Sequence, residues 1–199
     1  MKNAAVGFRV HSGWCAVAVV CIENGAATVL HRERPHLVEK FTYEFRQPYH
    51  TAEKMKIEPA HRFIDRVRTT ATDLACQAIE RLQSEMQTRG YALRSGALLL
   101  AAGKPLPDLE RILASHALIH TADGELFRYA ITRAHVRHGL PLACIKEREL
   151  DREAQETLHI KPTTLRMLLT QLGKPLGSPW SQDEKFAALA AWLSLRADA

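Results

Sequence analysis

The chain has 199 residues, 46% of them hydrophobic and 25% charged, with a formal net charge of +5 at pH 7. That length can bury a core unaided, and that balance excludes a disordered chain or a fibre. Four cysteines (Cys15, Cys21, Cys76 and Cys144) form no CxxC pair, which excludes a disulfide scaffold; their apolar surroundings read as small buried hydrophobes in a reducing compartment.

The apolar run from Trp14 to Ile22 is too short to span a bilayer and ends at Glu23-Asn24-Gly25, unlike a signal-cleavage sequence. A cytoplasmic chain with no membrane association is expected. The positive charge permits an anionic small molecule or a nucleic acid as partner without requiring either. Segment 31–68 carries nine Lys or Arg against six Asp or Glu, which reads as a solvated mixed surface.

Residues 4–11 alternate, with Val6, Phe8 and Val10 on one face and Ala5, Gly7, Arg9 and His11 on the other. Ser12-Gly13 signals a tight turn. Residues 14–22 are apolar on both faces, as in a strand covered on both sides. Asn24-Gly25 is a hairpin signal, since both positions tolerate positive φ, and a third strand follows at 26–34. Phe41, Tyr43 and Phe45 then alternate like a short strand or extended arm that Pro48 stops, and segment 35–58 reads as an insertion or mobile loop.

Helical spacing from Phe63 to Met86 predicts a long helix over 59–89, closed by Gly90. Residues 97–101 read as a buried strand closed by Gly103 and Pro105. Helices at 107–116 and 123–138 come next, then a strand at 141–145. Helices at 149–158, 162–172 and 182–196 complete the chain, the last opened by a capping box, Ser181-Gln182-Asp183-Glu184. Residues 1–148 are expected to form the core of one domain and 149–199 a C-terminal helical extension of it.

A three-strand meander followed by strand–helix crossovers fits few topologies, because parallel crossovers are right-handed and sequential strands tend to pair. Specific residues narrow the choice. The stretch Ala5-Val6-Gly7-Phe8-Arg9-Val10-His11-Ser12-Gly13-Trp14 resembles the opening of RuvC-like resolvases, where a strand reading apolar-Gly-apolar-Asp turns at a glycine into a second apolar strand. The resemblance covers about 30 residues by motif and about 145 by element order. It implies an α/β fold with the RNase H-like motif: a five-stranded mixed sheet of order 3-2-1-4-5 with helices on both faces.

The resemblance also implies where this chain departs from that family. There the first-strand Asp, with carboxylates from the fourth strand and a later helix, holds divalent metal, for which hard oxygen ligands suit Mg²⁺. Here the position is Arg9, a permanent cation that repels a metal. The fourth-strand counterpart, Leu99 to Gly103, offers no acid, and Lys104 follows it. No metal, no cofactor and no family-type nuclease activity are therefore expected.

Other patterns weigh less. Gly96 to Lys104 superficially resembles a phosphate loop, but the spacing is wrong and Pro105 stands where a hydroxyl belongs. His116 and His120 stand four apart, yet Thr121 to Gly124 suggests a helix-to-helix junction, which makes them ordinary structural histidines. Ser12 and His11 are strand neighbours that point to opposite faces, so they form no nucleophile–base pair. The helix start near Asp123 belongs near the ends of strands one and four, where open α/β sheets place ligands. Arg9, His11, Lys104, His120, Glu125 and Arg128 then converge on one anion-binding cleft. The leading reading is a non-catalytic binding or regulatory protein with an anionic ligand or partner. An enzyme of unfamiliar mechanism acting on a phosphorylated or nucleic-acid substrate is the alternative, and an assembly component that pairs with itself or a partner is a third.

Overall fold

The structure, a computed structural model, describes residues 1–101 and 105–197; the expected strand-closing Gly103 and the site residue Lys104 lie outside the described residues. Strands β1 (Lys2–His11), β2 (Trp14–Glu23) and β3 (Ala26–Glu33) form the antiparallel meander. The second turn works as expected, with φ of 49° at Asn24 and 80° at Gly25. Helix α3 (Ile57–Thr88) crosses to β4 (Tyr91–Leu100), which lies parallel to β1. Helices α4 (Leu109–Leu113) and α5 (His116–Arg137) lead to β5 (Leu142–Lys146), parallel to β4. The sheet order is β3-β2-β1-β4-β5.

Each face of this sheet carries its own core. Val6, Phe8 and Val10 of β1 pack with Ile64 of α3 and with Phe127 and Ile131 of α5. Ala5 faces the other way, with Val20, Leu99 and the last helix, α8 (Gln182–Ala197). The period-2 alternation of β1 thus sorts its residues between two helical layers. Helices α6 (Leu150–Leu158) and α7 (Pro162–Leu172) complete the second layer. Ala187, Ala188, Ala190 and Ala191 let α8 lie close on the sheet. The approach is tightest at Gly7, where a Cβ would stand 1.8 Å from the Ala187 carbonyl oxygen.

Three expectations need correction. Segment 35–58 holds two short helices, α1 (Tyr43–Arg46) and α2 (Pro48–Ala52), where a short strand or extended arm was expected. Its pairing with the sheet is limited to an isolated antiparallel bridge between His36 and Trp14, and Pro48 starts α2 at its first turn instead of stopping a strand. The expected junction at 117–122 is absent, and α5 runs unbroken from His116. Only Cys15 and Cys21 are buried; Cys76 is half-buried, and Cys144 is exposed on β5, an edge strand covered on one side. Among the described residues no helix is long and apolar enough to cross a membrane.

Candidate functional site

The site lies beyond the carboxyl ends of the parallel strands β1, β4 and β5. Arg9 faces α8 because its neighbours Phe8 and Val10 face α3 and α5. Its guanidinium forks onto Glu147, just past β5, with Nε donating to Oε2 at 3.0 Å and Nη2 to Oε1 at 2.6 Å. Nη1 donates to Oδ1 of Asp183 in the first turn of α8. The bidentate fork and the third charge-assisted bond use three of the guanidinium's five N–H donors, one on each nitrogen. The hydrogen bond to Glu147, working against burial, pushes Arg9 still further up from its ordinary value.

Asp183 serves other cations as well. His11 Nε2 lies 2.8 Å from Oδ1, and Arg34 Nη2 lies 3.7 Å from Oδ2. Arg34, from just past β3, also donates through Nε to Glu184 Oε1 at 2.5 Å. The expected capping box is formed: the Ser181 backbone N–H donates to Glu184 Oε2 at 2.8 Å, and the Asp183 N–H donates to Ser181 Oγ at 3.2 Å. Burial works to raise the Glu184 carboxyl, but Arg34 and Ser181 outweigh it and hold it down to about 2. Arg34 lies over the Trp14 ring at 5.1 Å, and His11 stacks on the same ring at 4.4 Å.

A cleft of about 520 Å³ opens over this network, lined by residues that include Arg9, His11, Arg128, Glu147, Arg148 and Phe186. Leu100 and Ala101, at the end of β4, contribute no carboxylate to it. A neighbouring groove of about 550 Å³ shares Leu100, Ala101 and Arg128 and adds Tyr49, Arg68, Glu125 and Tyr129. Arg128 donates to Glu125 Oε1 at 3.0 Å, the i,i+3 pair that the spacing implied.

Of the six residues expected to converge, Arg9, His11 and Arg128 share the cleft, and Glu125 borders it through Arg128. His120 does not join them. It stands with His50 and His116, beside Asp123, which accepts from the Tyr49 backbone N–H at 2.7 Å and from His50 Nδ1 at 2.5 Å. Burial pushes the Asp123 carboxyl up, against those two hydrogen bonds. Glu147, Asp183 and Arg34 escaped the sequence reading. The signal was available for Asp183, since a later helix was expected to supply a carboxylate and the capping box marked the start of one.

No protein-family model matches the sequence, and no curated protein matches it either. The solved structures are informative: the sheet order, the two helical layers and the last helix make this an RNase H-like fold. The chain is similar to Thermus thermophilus RuvC in complex with a Holliday junction substrate, with a TM-score of 0.56 and 11% identity over 98% of this chain and 94% of that one. A second structure of RuvC from the same organism matches with a TM-score of 0.52 and 12% identity over 98% and 95% of the two chains.

Proposed function

We propose that this chain is a non-catalytic binding protein for a phosphate-bearing partner, using the cleft beyond β1, β4 and β5. The observation that carries this reading is the position of Arg9 between Glu147 and Asp183. Both carboxylates stand beside the first-strand position where the RuvC-like pattern carries its metal-binding Asp, and one guanidinium is hydrogen-bonded to both. A divalent ion entering there would have to displace a bidentate ion pair and face a fixed positive charge. The cleft and its neighbouring groove are still cationic on balance, with Arg9, Arg68, Arg128 and Arg148 against Glu125 and Glu147. Arg148 is the most available to a ligand, with its side chain 66% exposed.

The experiment is fluorescence anisotropy with labelled single-stranded, duplex and four-way-junction DNA, paired with a cleavage assay in Mg²⁺ or Mn²⁺. The junction is included because the RuvC structure that this fold matches holds one. Binding is expected to weaken with salt and with the double substitution Arg128→Ala/Arg148→Ala. The log–log salt slope should fall by about one for each phosphate contact removed. No strand cleavage is expected. Metal-dependent cleavage abolished by Asp183→Asn overturns the non-catalytic reading, and affinity untouched by the double substitution overturns the choice of cleft.

A further inference from the structure

We infer that His50, His116 and His120 form a binding site for a borderline divalent transition metal, zinc first, with Asp123 as the group that orients it. Each histidine offers one ring nitrogen, and the three nitrogens lie within 4.8 Å of one another. None of the three rings lines the cleft above, so the site is distinct from it.

The geometry comes from two elements. Helix α5 runs unbroken from His116, so His116 and His120 stand one turn apart on the same face. Their Nε2 atoms are 3.1 Å apart. Two imidazole nitrogens on one tetrahedral zinc, each at about 2.0–2.1 Å, stand about 3.3–3.4 Å from each other, so little movement is needed. The third ring arrives on α2, whose His50 lies edge-on to both others, with ring centroids 5.4 Å from His116 and 4.5 Å from His120.

Asp123 separates this arrangement from three histidines that merely touch. A hydrogen bond between His116 and His120 accounts for two of the rings, but it gives no role to a carboxylate aimed at the third. Asp123 is 3% exposed, and burying a carboxylate is costly unless its oxygens are used. One oxygen holds the α2 backbone at Tyr49, and the other takes the Nδ1–H of His50. That bond sets the tautomer, leaving Nε2 of His50 as the lone-pair nitrogen. A carboxylate behind a histidine ligand fixes ring orientation and raises basicity, and losing one typically weakens metal binding by about 10–100-fold.

Neutral imidazoles select zinc, cobalt, nickel or copper over magnesium or calcium. His116 and His120 are exposed, so a fourth coordination position faces solvent. Three histidines with an open position are the donor set of a site that binds water or an exogenous ligand. The metal would also clamp α2 onto α5, fastening segment 35–58 to the body of the fold.

The test uses the full chain, stripped with a chelating resin and titrated with Zn²⁺ against a chromophoric chelator, and separately with Co²⁺ followed by visible absorption. One ion per chain is expected, with the intense bands of a tetrahedral cobalt site. His120→Ala, an exposed position where folding is not at stake, should lower Zn²⁺ affinity at least about 100-fold and abolish the metal-dependent rise in Tm. Asp123→Asn should weaken binding about 10–100-fold without changing the stoichiometry. Less than one ion per chain overturns the inference. So does an affinity unchanged in both His116→Ala and His120→Ala, because the ion would then sit on other histidines. DNA binding by the cleft plays no part in these readouts.

Discussion

Arg9 on β1 donates through Nη1 to Asp183 on α8, joining the first strand to the last helix across 174 positions of sequence. Arg9 is 21% exposed and Asp183 18%, so the pair is shielded but not dry. Arg9→Ala would leave Glu147 without its bidentate partner and Asp183 with only His11 and the more distant Arg34. Breaking a fully buried pair costs about 3–5 kcal/mol, and partial exposure brings the expectation here to about 2–3 kcal/mol. Arg9→Asp is more informative. It adds a third carboxylate at the same point, so this variant should be less stable still in metal-free buffer and regain Tm with Mn²⁺ or Mg²⁺. Wild-type Tm should not respond to Mg²⁺. Thermal unfolding with and without the ion decides; a metal-insensitive Arg9→Asp variant would show that the arginine does not stand in a cation position.

Glu184 gives a second prediction, through its dependence on pH. Its side chain is 2% exposed and paired with Arg34, and its carboxyl lies at about 2 instead of the ordinary 4.5. A carboxyl whose folded pKa is depressed adds stability that is complete above the unfolded value and lost as pH falls through the folded one. A shift of that size corresponds to about 3 kcal/mol. Arg34 is 39% exposed, and screening there reduces the expected cost of Glu184→Gln to about 1–2 kcal/mol at neutral pH. The gap between wild type and variant should narrow from pH 4.5 toward pH 2 in urea unfolding. A gap independent of pH over that range would mean the loss comes from packing rather than charge.

Local patterns carried much of the fold, and the site was hidden where contacts are remote. The alternation of β1 placed Arg9 and His11 opposite Phe8 and Val10, and that is how they stand. Asn24-Gly25 marked a turn because positive φ has a residue signature. By contrast, Glu147 and Asp183 meet Arg9 from 138 and 174 positions away, and no local pattern announces such a pairing. Gly124 reads as a helix break, yet it sits inside α5, where a Cβ would come within 2.9 Å of Arg128 Nη1. The glycine makes room for Arg128 to lie along the helix toward Glu125. Asp123 reads as part of a helix start for the same reason, and its real partners on α2 lie 73 and 74 positions away.

Gly7 gives a prediction about how α8 is seated. A Cβ there would lie 1.8 Å from the Ala187 carbonyl oxygen and 3.0 Å from the Ala191 nitrogen, both backbone atoms that cannot rotate aside. Gly7→Ala must therefore push α8 off the sheet and strain the Arg9–Asp183 pair. The cost should reach or exceed the upper end of the usual overpacking range, about 1–3 kcal/mol. Gly25→Ala is the contrast, with open space around its Cβ but φ at +80°. It should cost about 1–2 kcal/mol through backbone conformation alone. Chemical denaturation of both variants ranks them, and a Gly7→Ala variant as stable as Gly25→Ala would mean that α8 can ride higher at little cost.

His135 makes the last prediction. It is 1% exposed, donates through Nδ1 to the Ile131 carbonyl at 2.9 Å, and buries Nε2 without a hydrogen-bond partner. Nε2 fits against Gly96, where a Cβ would come within 2.2 Å of it, and the ring lies edge-on to Phe8 at 5.2 Å. Burial pushes the imidazole below its ordinary 6.5, against the Ile131 hydrogen bond, and His138 pushes the same way. The folded chain thus resists a proton that the unfolded chain accepts. Above pH 6.5 neither state binds it and stability is unaffected; below pH 6.5 the unfolded state gains it and stability falls. One such proton contributes up to about 1.4 kcal/mol per pH unit. His135→Leu removes the titration at some cost in packing, so the slopes are compared rather than the absolute stabilities. Between pH 6.5 and 5 the wild-type unfolding free energy should fall more steeply than the variant's, by up to one proton's worth. Parallel slopes would mean that His135 takes up its proton without unfolding, and that the tight fit against Gly96 and Phe8 does not exclude it.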